Sequence, residues 1–179
     1  MASYHHGDLR RVLLSTAAEA IAESGPAALS LRELARRAGV SHAAPAHHFG
    51  DKAGLLTAFA TQGFDLLADA LRQAGDDLLD TGVAYVGFAV RHRAHFDVMF
   101  RPELYRADDP ELVAARARSG DVLREGVARR TGREPDADAL AAWSIVHGFA
   151  TLWLAGALPS RVGDDPEAAA RTVIRRLFG

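Results

Sequence analysis

The sequence predicts an all-α protein of about nine helices. Apolar residues recur at intervals of three and four along most of the chain, which is the spacing of one helix face. Alternating β-branched runs are missing, and the chain has no asparagine and therefore no Asn-Gly hairpin turn. Aspartate or serine precedes several of the expected helices, as N-cap residues do. We expect a three-helix N-terminal domain over residues 1–50 and a larger helical domain over residues 51–179.

The composition of the chain is that of a globular protein. Of its 179 residues, 25% are charged and 49% are hydrophobic. It contains no cysteine, which excludes disulfides and thiolate metal sites. The net charge of −2 argues against a general nucleic-acid coat protein. The first residues are polar and lack the apolar core of a signal peptide, so we expect a cytoplasmic protein.

The first two helices are bounded by clear stop and start signals. An apolar stripe over residues 9–21 meets Ser-Gly-Pro at residues 24–26, which predicts the end of the first helix. Ser30 and Glu33 then form an S-x-x-E capping box, so a second helix begins after Ser30. We expect it to end at Gly39, because glycine tolerates the left-handed conformation that ends many helices.

A third helix is predicted to begin almost at once. Ser41 is a second candidate N-cap only two residues after Gly39, so a tight glycine-containing turn joins two short helices. This is the arrangement of a helix-turn-helix, whose second helix enters the major groove of DNA. An ordinary helical hairpin is the alternative interpretation. Residues 30–49 therefore favour DNA binding.

The rest of the chain predicts six more helices. Aspartates serve as N-caps, and two of them precede a proline at the first helical position. The expected helices are 52–74 after Asp51, 78–92, 94–104, 110–131 after Asp109, one from Asp136 or Asp138 to Leu158, and 166–178 after Asp165.

Residues 139–158 contain no Asp, Glu, Lys or Arg. A mostly apolar segment of this length either spans a membrane or is a helix covered by protein on every side. Ser144, His147 and Thr151 within it favour the second interpretation. The last helix adds an apolar stripe over residues 170–178. We expect these last two helices to form a homodimer through a four-helix contact across a two-fold axis.

Several of these residues form a pattern that is found in one protein family. It consists of the capped second helix, Gly-Val-Ser, a His-Phe pair and a lysine, which are here Ser30, residues 39–41, residues 48–49 and Lys52. With Leu55-Leu56 behind them, these residues resemble the tetracycline-repressor-like (TetR) family of bacterial transcription regulators. The C-terminal half resembles the branch with a Trp-x-x-x-His-Gly signature, seen here at residues 143–148.

The resemblance implies a fold and a function. It implies an all-helical homodimer with an N-terminal DNA-binding head over residues 1–50. It also implies a C-terminal domain over residues 51–179 that binds a small effector and makes the dimer. Members of the family mostly repress transcription, and ligand binding usually releases the operator.

The chain departs from the family pattern at Pro45-Ala46. Many relatives have an apolar residue and then a tyrosine here, and the tyrosine touches DNA phosphate. Pro45 lacks an N–H, so we expect the third helix to begin one residue late or with a tight first turn. Ala46 removes one phosphate contact but can pack on a thymine methyl group.

The expected DNA-binding residues lie on the second and third helices and at the start of the fourth. Imidazole can donate to guanine or phosphate acceptors, so we expect His42 and His47 to contact base edges or phosphate. Two solvated surface histidines are the alternative. By its position in the family pattern, the resemblance implies that His48 either packs within the head and supports it or contacts DNA. The full set is Ser30, Arg32, Ser41, His42, Ala43, Ala46, His47, His48 and Lys52.

Lys52 and an N-terminal arm are candidates for phosphate contacts. A lysine in the first turn of a helix opposes the helix dipole, and a phosphate bound by Lys52 would offset that cost. An exposed, solvent-screened lysine is the alternative. Tyr4, His5, His6, Arg10 and Arg11 form an arm that either reaches the DNA or is a disordered tail.

The expected effector site is lined by large apolar side chains. His147 is the strongest candidate for a polar contact to the effector, because a buried imidazole needs a hydrogen-bond partner and a ligand can supply one. Each of these residues is also a plausible core residue. The set is Phe88, Phe96, Phe100, Trp143, His147 and Trp153. It predicts a small, mainly apolar effector.

Other function classes find less support in the sequence. His42, His47 and His48, and His92 with His95, have partial metal-ligand spacing, but no H-E-x-x-H pattern follows. There is no glycine-rich phosphate loop and no G-x-S-x-G nucleophile elbow, so we expect no enzyme, no cofactor and no metal.

We expect a ligand-responsive repressor whose partners are a palindromic double-stranded DNA operator, a small effector and a second copy of the chain, with no membrane. The alternative is a helical small-molecule carrier with a vestigial DNA head.

Overall fold

A computed structural model describes residues 6–132, 134 and 136–178, and its secondary structure is entirely helical within those ranges. The prediction of an all-α fold with nine α-helices is therefore confirmed for the described chain. The helices are α1 (His6–Ala28), α2 (Leu31–Arg37), α3 (Ala44–Phe49), α4 (Lys52–Gln73), α5 (Leu78–Arg91), α6 (Arg93–Met99), α7 (Pro110–Thr131), α8 (Asp136–Leu154) and α9 (Pro166–Phe178). The helical geometry of α1 is broken at Gly25, whose φ is 75°, within the Ser-Gly-Pro stop signal of the sequence. Two 3₁₀ turns lie at Pro102–Leu104 and Ser160–Val162.

The aspartates that precede the longer helices act as N-caps, as the sequence predicts. The Asp51 carboxylate accepts the Gly54 N–H at 2.8 Å. Asp109 accepts the N–H of Glu111 at 3.1 Å, and Asp165 caps α9 in the same way. Each of these carboxylates satisfies a backbone donor that has no partner within its helix.

Two helices end earlier than the sequence predicts. The sixth helix was expected over residues 94–104 but ends at Met99, because Pro102 has no N–H for the Val98 carbonyl and a 3₁₀ turn follows. The eighth helix was expected to reach Leu158 but ends at Leu154. Gly156 there has a φ of 64°, and the next residue's N–H bonds back to the Leu152 carbonyl at 3.0 Å.

The chain folds into two compact units. The first contains the residues up to Gly63 together with Ala94–Val113, and the second contains Phe64–Arg93 and the residues from Ala114 onward. The core of the first unit is built by α1, α2, α4 and α6, through the fully buried Leu13, Leu34, Leu55, Phe59 and Met99.

The second unit is built around α5, whose neighbours are α8 and α9. Phe88 on α5 is 1% exposed, and Val146 on α8 and Ile174 on α9 are also buried. One α8 face therefore serves the core of this unit, although the helix carries no charged residue beyond Asp138. No helix in the described part of the chain is long and apolar enough to cross a membrane.

Candidate functional site

The corner between α2 and α3 has the geometry that the sequence predicts on its α2 side. The Ser30 hydroxyl oxygen accepts the Glu33 N–H at 3.2 Å. At the other end of α2, Gly39 has a φ of 65°. Its N–H bonds to the Arg36 carbonyl at 3.3 Å, and the Val40 N–H bonds to the Ala35 carbonyl at 3.0 Å. This pair of bonds is a Schellman ending, which turns the chain sharply toward α3.

The start of α3 lacks the predicted Ser41 cap but is late, as Pro45 predicts. Ser41 is not its N-cap: α3 begins at Ala44, and Ala43 occupies the cap position without a side-chain hydrogen bond. The Ser41 carbonyl instead accepts the Ala44 N–H at 3.0 Å in a tight turn. Pro45 explains the shift, because a helix capped at Ser41 would need a Pro45 N–H that proline lacks. In the observed helix Pro45 lies in the first turn, where no N–H partner is required.

The predicted DNA-contacting side chains of this corner are accessible. Ser41, His42, Ala43, Ala46 and His47 are all exposed. They lie on the turn and on α3, whereas Pro45 and Phe49 of the same helix are buried.

Three other members of the predicted set differ in their surroundings. His48 is half-buried, and its ring lies 5.7 Å from that of His47 and 6.1 Å from that of Phe49. This position suits the bracing role that the sequence left open. Ser30 and Arg32 are exposed at the start of α2.

The other two arginines of α2 are held by carboxylates. The Arg36 guanidinium donates to both Glu33 oxygens, at 2.8 and 2.6 Å. Arg37 donates to Glu33 at 3.0 Å and to Glu23 on α1 at 2.7 Å. These hydrogen bonds lower the pKa of Glu33 to about 2. Glu33 therefore stays ionised and restrains both guanidiniums.

Lys52 contacts the protein itself. Its ammonium group donates to the Ala27 carbonyl at 2.8 Å, close to the end of α1. The side chain therefore ties the first turn of α4 to the corner between α1 and α2. Of the predicted N-terminal arm, Tyr4 and His5 and the side chain of His6 lie outside the described residues, whereas the Arg10 guanidinium lies 5.7 Å from the centre of the Phe49 ring.

The six predicted effector-site residues are divided between the two units. Phe96 and Phe100 belong to the first unit, where their rings meet edge to face at 5.2 Å. Phe88, Trp143, His147 and Trp153 belong to the second. Phe88 is fully buried beside His92, which suits a core role, whereas Trp143 is 37% exposed and Trp153 is partly buried against Phe149.

Trp143 and His147 are joined by a third residue, Tyr85 on α5, which the sequence did not single out. The Trp143 indole N–H donates to the Tyr85 hydroxyl oxygen at 3.2 Å, and that hydroxyl lies 2.9 Å from His147 Nδ1. An indole N–H can only donate, so the Tyr85 O–H is available to donate to Nδ1. His147 then carries its proton on Nε2. The partners are 58 and 62 residues apart in sequence, so no local pattern could reveal them.

Burial shifts the acidities of this polar group. Tyr85 is 4% exposed, and burial raises the pKa of its hydroxyl. Partial burial also lowers the pKa of His147 below its ordinary value. Both shifts favour neutral side chains. The group therefore presents uncharged hydrogen-bonding atoms among aromatic residues. Within the described residues, no three His, Asp or Glu side chains lie close enough to hold a metal ion.

Comparison with family models matches both parts of the chain. Residues 13–59 match the model described as bacterial regulatory proteins of the tetR family. Residues 78–177 match the model of the tetracyclin repressor-like C-terminal domain.

Comparison with individual proteins gives similarities that agree with the family models. The HTH-type transcriptional regulator BetI of Rhizobium meliloti (strain 1021) is 34% identical over 108 residues, which are 59% of this chain and only 47% of BetI. A protein of unknown function from Rhodococcus sp. RHA1 is 35% identical, with 99% of this chain and 97% of that chain covered and a TM-score of 0.81. AibR, solved with isovaleryl coenzyme A and operator DNA, shares the fold with a TM-score of 0.66 at 21% identity, over 95% and 98% of the two chains.

Proposed function

Because this chain belongs to the TetR family of bacterial transcriptional regulators, we propose that it is a ligand-responsive repressor. In this proposal the head, residues 1–50, binds a palindromic operator as part of a homodimer. Residues 51–179 bind a small, mainly apolar effector and make the dimer. Effector binding then releases the operator.

The helix-turn-helix corner is the observation that carries the DNA-binding part of this proposal. The Schellman ending at Gly39 turns the chain between two short helices, and α3 is fixed to the head by Pro45 and Phe49. The exposed face of α3 presents His47 to solvent, and the turn before it presents His42. A supported helix with one exposed imidazole on it and another just before it suits contacts to base edges and phosphates in the major groove.

The hydrogen-bonded group in the second unit supports an effector site there. Trp143 is partly exposed although its indole N–H is bound to Tyr85, so an apolar ligand would cover its ring without breaking that bond. A few placed polar atoms among aromatic side chains are typical of sites for small organic ligands. AibR, which shares the fold, has been solved with isovaleryl coenzyme A and operator DNA, so this fold serves both kinds of partner in that protein.

Uncovered apolar residues on the last two helices support a homodimer. Leu140 and Leu152 on α8 are 59% and 48% exposed, and Val173 on α9 is 37% exposed. Between the two leucines, the accessible part of α8 carries Ser144 and Thr151 and no charge. A second copy packing its own α8 and α9 on this face would cover both helices.

The regulatory step follows from linkage. A ligand shifts a protein between two shapes only by binding one shape more tightly than the other. If the effector favours a dimer whose α3 helices no longer fit two adjacent half-sites, effector and operator must weaken each other by the same factor. The effector thereby lowers the operator affinity without touching DNA.

Band-shift titration tests this function directly. The full-length protein is mixed with DNA from upstream of its own gene, in excess competitor DNA, before and after addition of small molecules that it retains from expression. We expect a sequence-dependent shift that the ligand reverses. Retention of a ligand together with equal binding of all DNA sequences would favour a small-molecule carrier with a vestigial head, for which the late start of α3 and the exposed Ala46 are the supporting features.

A further inference from the structure

A segment from the middle of the chain packs into the unit that contains the helix-turn-helix. Residues Ala94–Val113 belong to the first compact unit, although the chain on both sides of them belongs to the second. Its two ends continue directly into α5 and α7. Any contact between this segment and the head is therefore a place where the middle of the chain can influence α3.

Arg106 contacts Asp51, the residue that directly follows the head, at the junction of α3 and α4. One guanidinium nitrogen, Nη2, donates to Oδ2 of Asp51 at 2.8 Å. The other carboxylate oxygen of Asp51 accepts the Gly54 N–H and so caps α4. One carboxylate thus holds both the segment and the first turn of α4. Asp51 also follows Gly50, the C-cap of α3, and the Asp51 N–H bonds to the Phe49 carbonyl at 3.0 Å.

Two further observations show that Arg106 is held closely in place. Its backbone N–H donates to the hydroxyl oxygen of buried Thr57 at 3.0 Å, one turn along α4. A Cβ atom at Gly54 would lie 2.0 Å from the Phe49 carbonyl oxygen and 3.0 Å from Arg106 Nη1. The end of α3, the first turn of α4 and Arg106 therefore meet without room for a single methyl group.

We propose that Arg106 is a positioning residue for operator recognition. By holding Asp51 it fixes the corner between α3 and α4, and so the angle at which α3 presents its exposed face. The inference rests on the proposed DNA-binding function. An exposed ion pair adds little to overall stability, so the effect of Arg106 lies in orientation and not in folding.

The test compares Arg106→Gln with the wild-type full-length protein on two DNA duplexes. One duplex is enriched by the wild-type protein from a randomised pool, and the other is its scrambled sequence. We expect Arg106→Gln to bind the enriched duplex about tenfold more weakly, because misoriented base contacts are lost, while its affinity for the scrambled duplex changes little. We also expect faster amide hydrogen exchange over residues 50–54 at an unchanged melting temperature.

Two variants serve as controls. Arg106→Lys should restore most of the sequence preference, because the pair uses a single donor that an ammonium group can supply. Arg118→Gln removes a similarly exposed ion pair, to Asp65, from the second unit and should leave both affinities as in wild type.

The possible outcomes separate this inference from the proposed function. An Arg106→Gln protein with wild-type sequence preference would overturn the positioning role while leaving the DNA-binding function intact. Equal weakening on both duplexes would also overturn it, because Arg106 would then act as a phosphate contact. A wild-type protein that enriches no duplex would overturn the proposed function itself.

Discussion

At the scale of single residues, the head is notable for how its charges are used. Its net charge says little about DNA binding, but Glu33 restrains Arg36 and Arg37 through three hydrogen bonds, and Glu23 accepts a fourth from Arg37. Lys52 is bound to a backbone carbonyl. The sequence pattern located these residues but not their hydrogen-bond partners. Local periodicity does not determine which atoms the end of a long, flexible side chain contacts.

The Glu33 network predicts a specific pH dependence of stability. Its pKa is lowered from 4.5 to about 2 in the folded protein, mainly by the Arg36 hydrogen bonds. Its stabilising effect is therefore fully present above pH 4.5 and is lost as the pH falls toward 2. Thermal unfolding should show Glu33→Gln less stable than wild type at neutral pH, with the difference vanishing at low pH and shrinking in salt.

The Glu33→Gln unfolding experiment needs a control variant, and one result would contradict the prediction. Glu19 on α1 is also exposed, and no ion pair of this residue is found among the described side chains, so Glu19→Gln should keep a melting temperature close to that of wild type at neutral pH. A Glu33→Gln profile parallel to wild type down to pH 2 would show that the network is not formed in solution.

The Tyr85–His147 hydrogen bond predicts the protonation state of the candidate effector site. Burial holds the pKa of His147 below 6.5, and an O–H that donates to Nδ1 further favours the neutral ring. In an NMR titration His147 should therefore lose its proton below pH 6.5, and Tyr85→Phe should raise its pKa. A value at or above 6.5 in the wild type would mean that this hydrogen bond is absent or reversed.

At the scale of elements, most helix boundaries were predictable because their causes are local. The N-caps Asp51, Asp109 and Asp165 and the glycine ending at Gly39 each act within a few residues. Ser41 was wrongly predicted as the N-cap of α3, whereas the late start expected from Pro45 is observed, since α3 begins at Ala44. Both residues are visible in the sequence, and the structure shows that the missing N–H of Pro45 outweighs the serine cap.

The packing of α4 against α6 was not predictable, because it depends on residues far apart in sequence. A Cβ at Gly63 would lie 2.6 Å from the Met99 sulfur and 3.2 Å from His95 Cβ. Both neighbours are buried, and His95 is stacked on Phe59 at 4.0 Å and bonded to Gln62 at 3.1 Å. The close approach therefore leaves no space for a larger residue.

Gly63→Ala should accordingly destabilise the fold by about 1–3 kcal/mol, as overpacking of a filled core does. The matched control is Gly120→Ala on α7, where nothing lies within 4 Å of the added methyl group. That change should stabilise the helix by roughly 0.5–1 kcal/mol. Urea unfolding of both variants measures the difference. A stabilised Gly63→Ala protein would show that α4 and α6 are not in contact here.

At the scale of the whole molecule, the fold class was predictable but the composition of the two units was not. Every predicted helix exists, since helical periodicity is a property of the sequence itself. The joining of residues 94–113 to the N-terminal unit depends on tertiary contacts such as Arg106 with Asp51. For the same reason the predicted effector residues, chosen for size, divide between the two units, and Tyr85, which bonds to Trp143, was not among them.

The proposed homodimer predicts which of two equally exposed apolar residues is needed for dimerisation. Leu152 on α8 and Val113 on α7 are each 48% exposed, but only Leu152 lies on the proposed interface. Leu152→Arg should convert the dimer to a monomer in analytical ultracentrifugation at micromolar concentration, because it would bury an unpaired charge at the contact. Val113→Arg should remain dimeric. A wild-type protein that sediments as a monomer would contradict the proposed assembly.

We propose that a dimer of this protein reads a specific DNA sequence through α3. Selection of duplexes from a randomised pool by the full-length wild-type protein tests this proposal. We expect enrichment of one sequence with two-fold symmetry, whose half-site centres are roughly 34–36 Å apart, one turn of DNA. Enrichment of no sequence, or of a single site without symmetry, would contradict it.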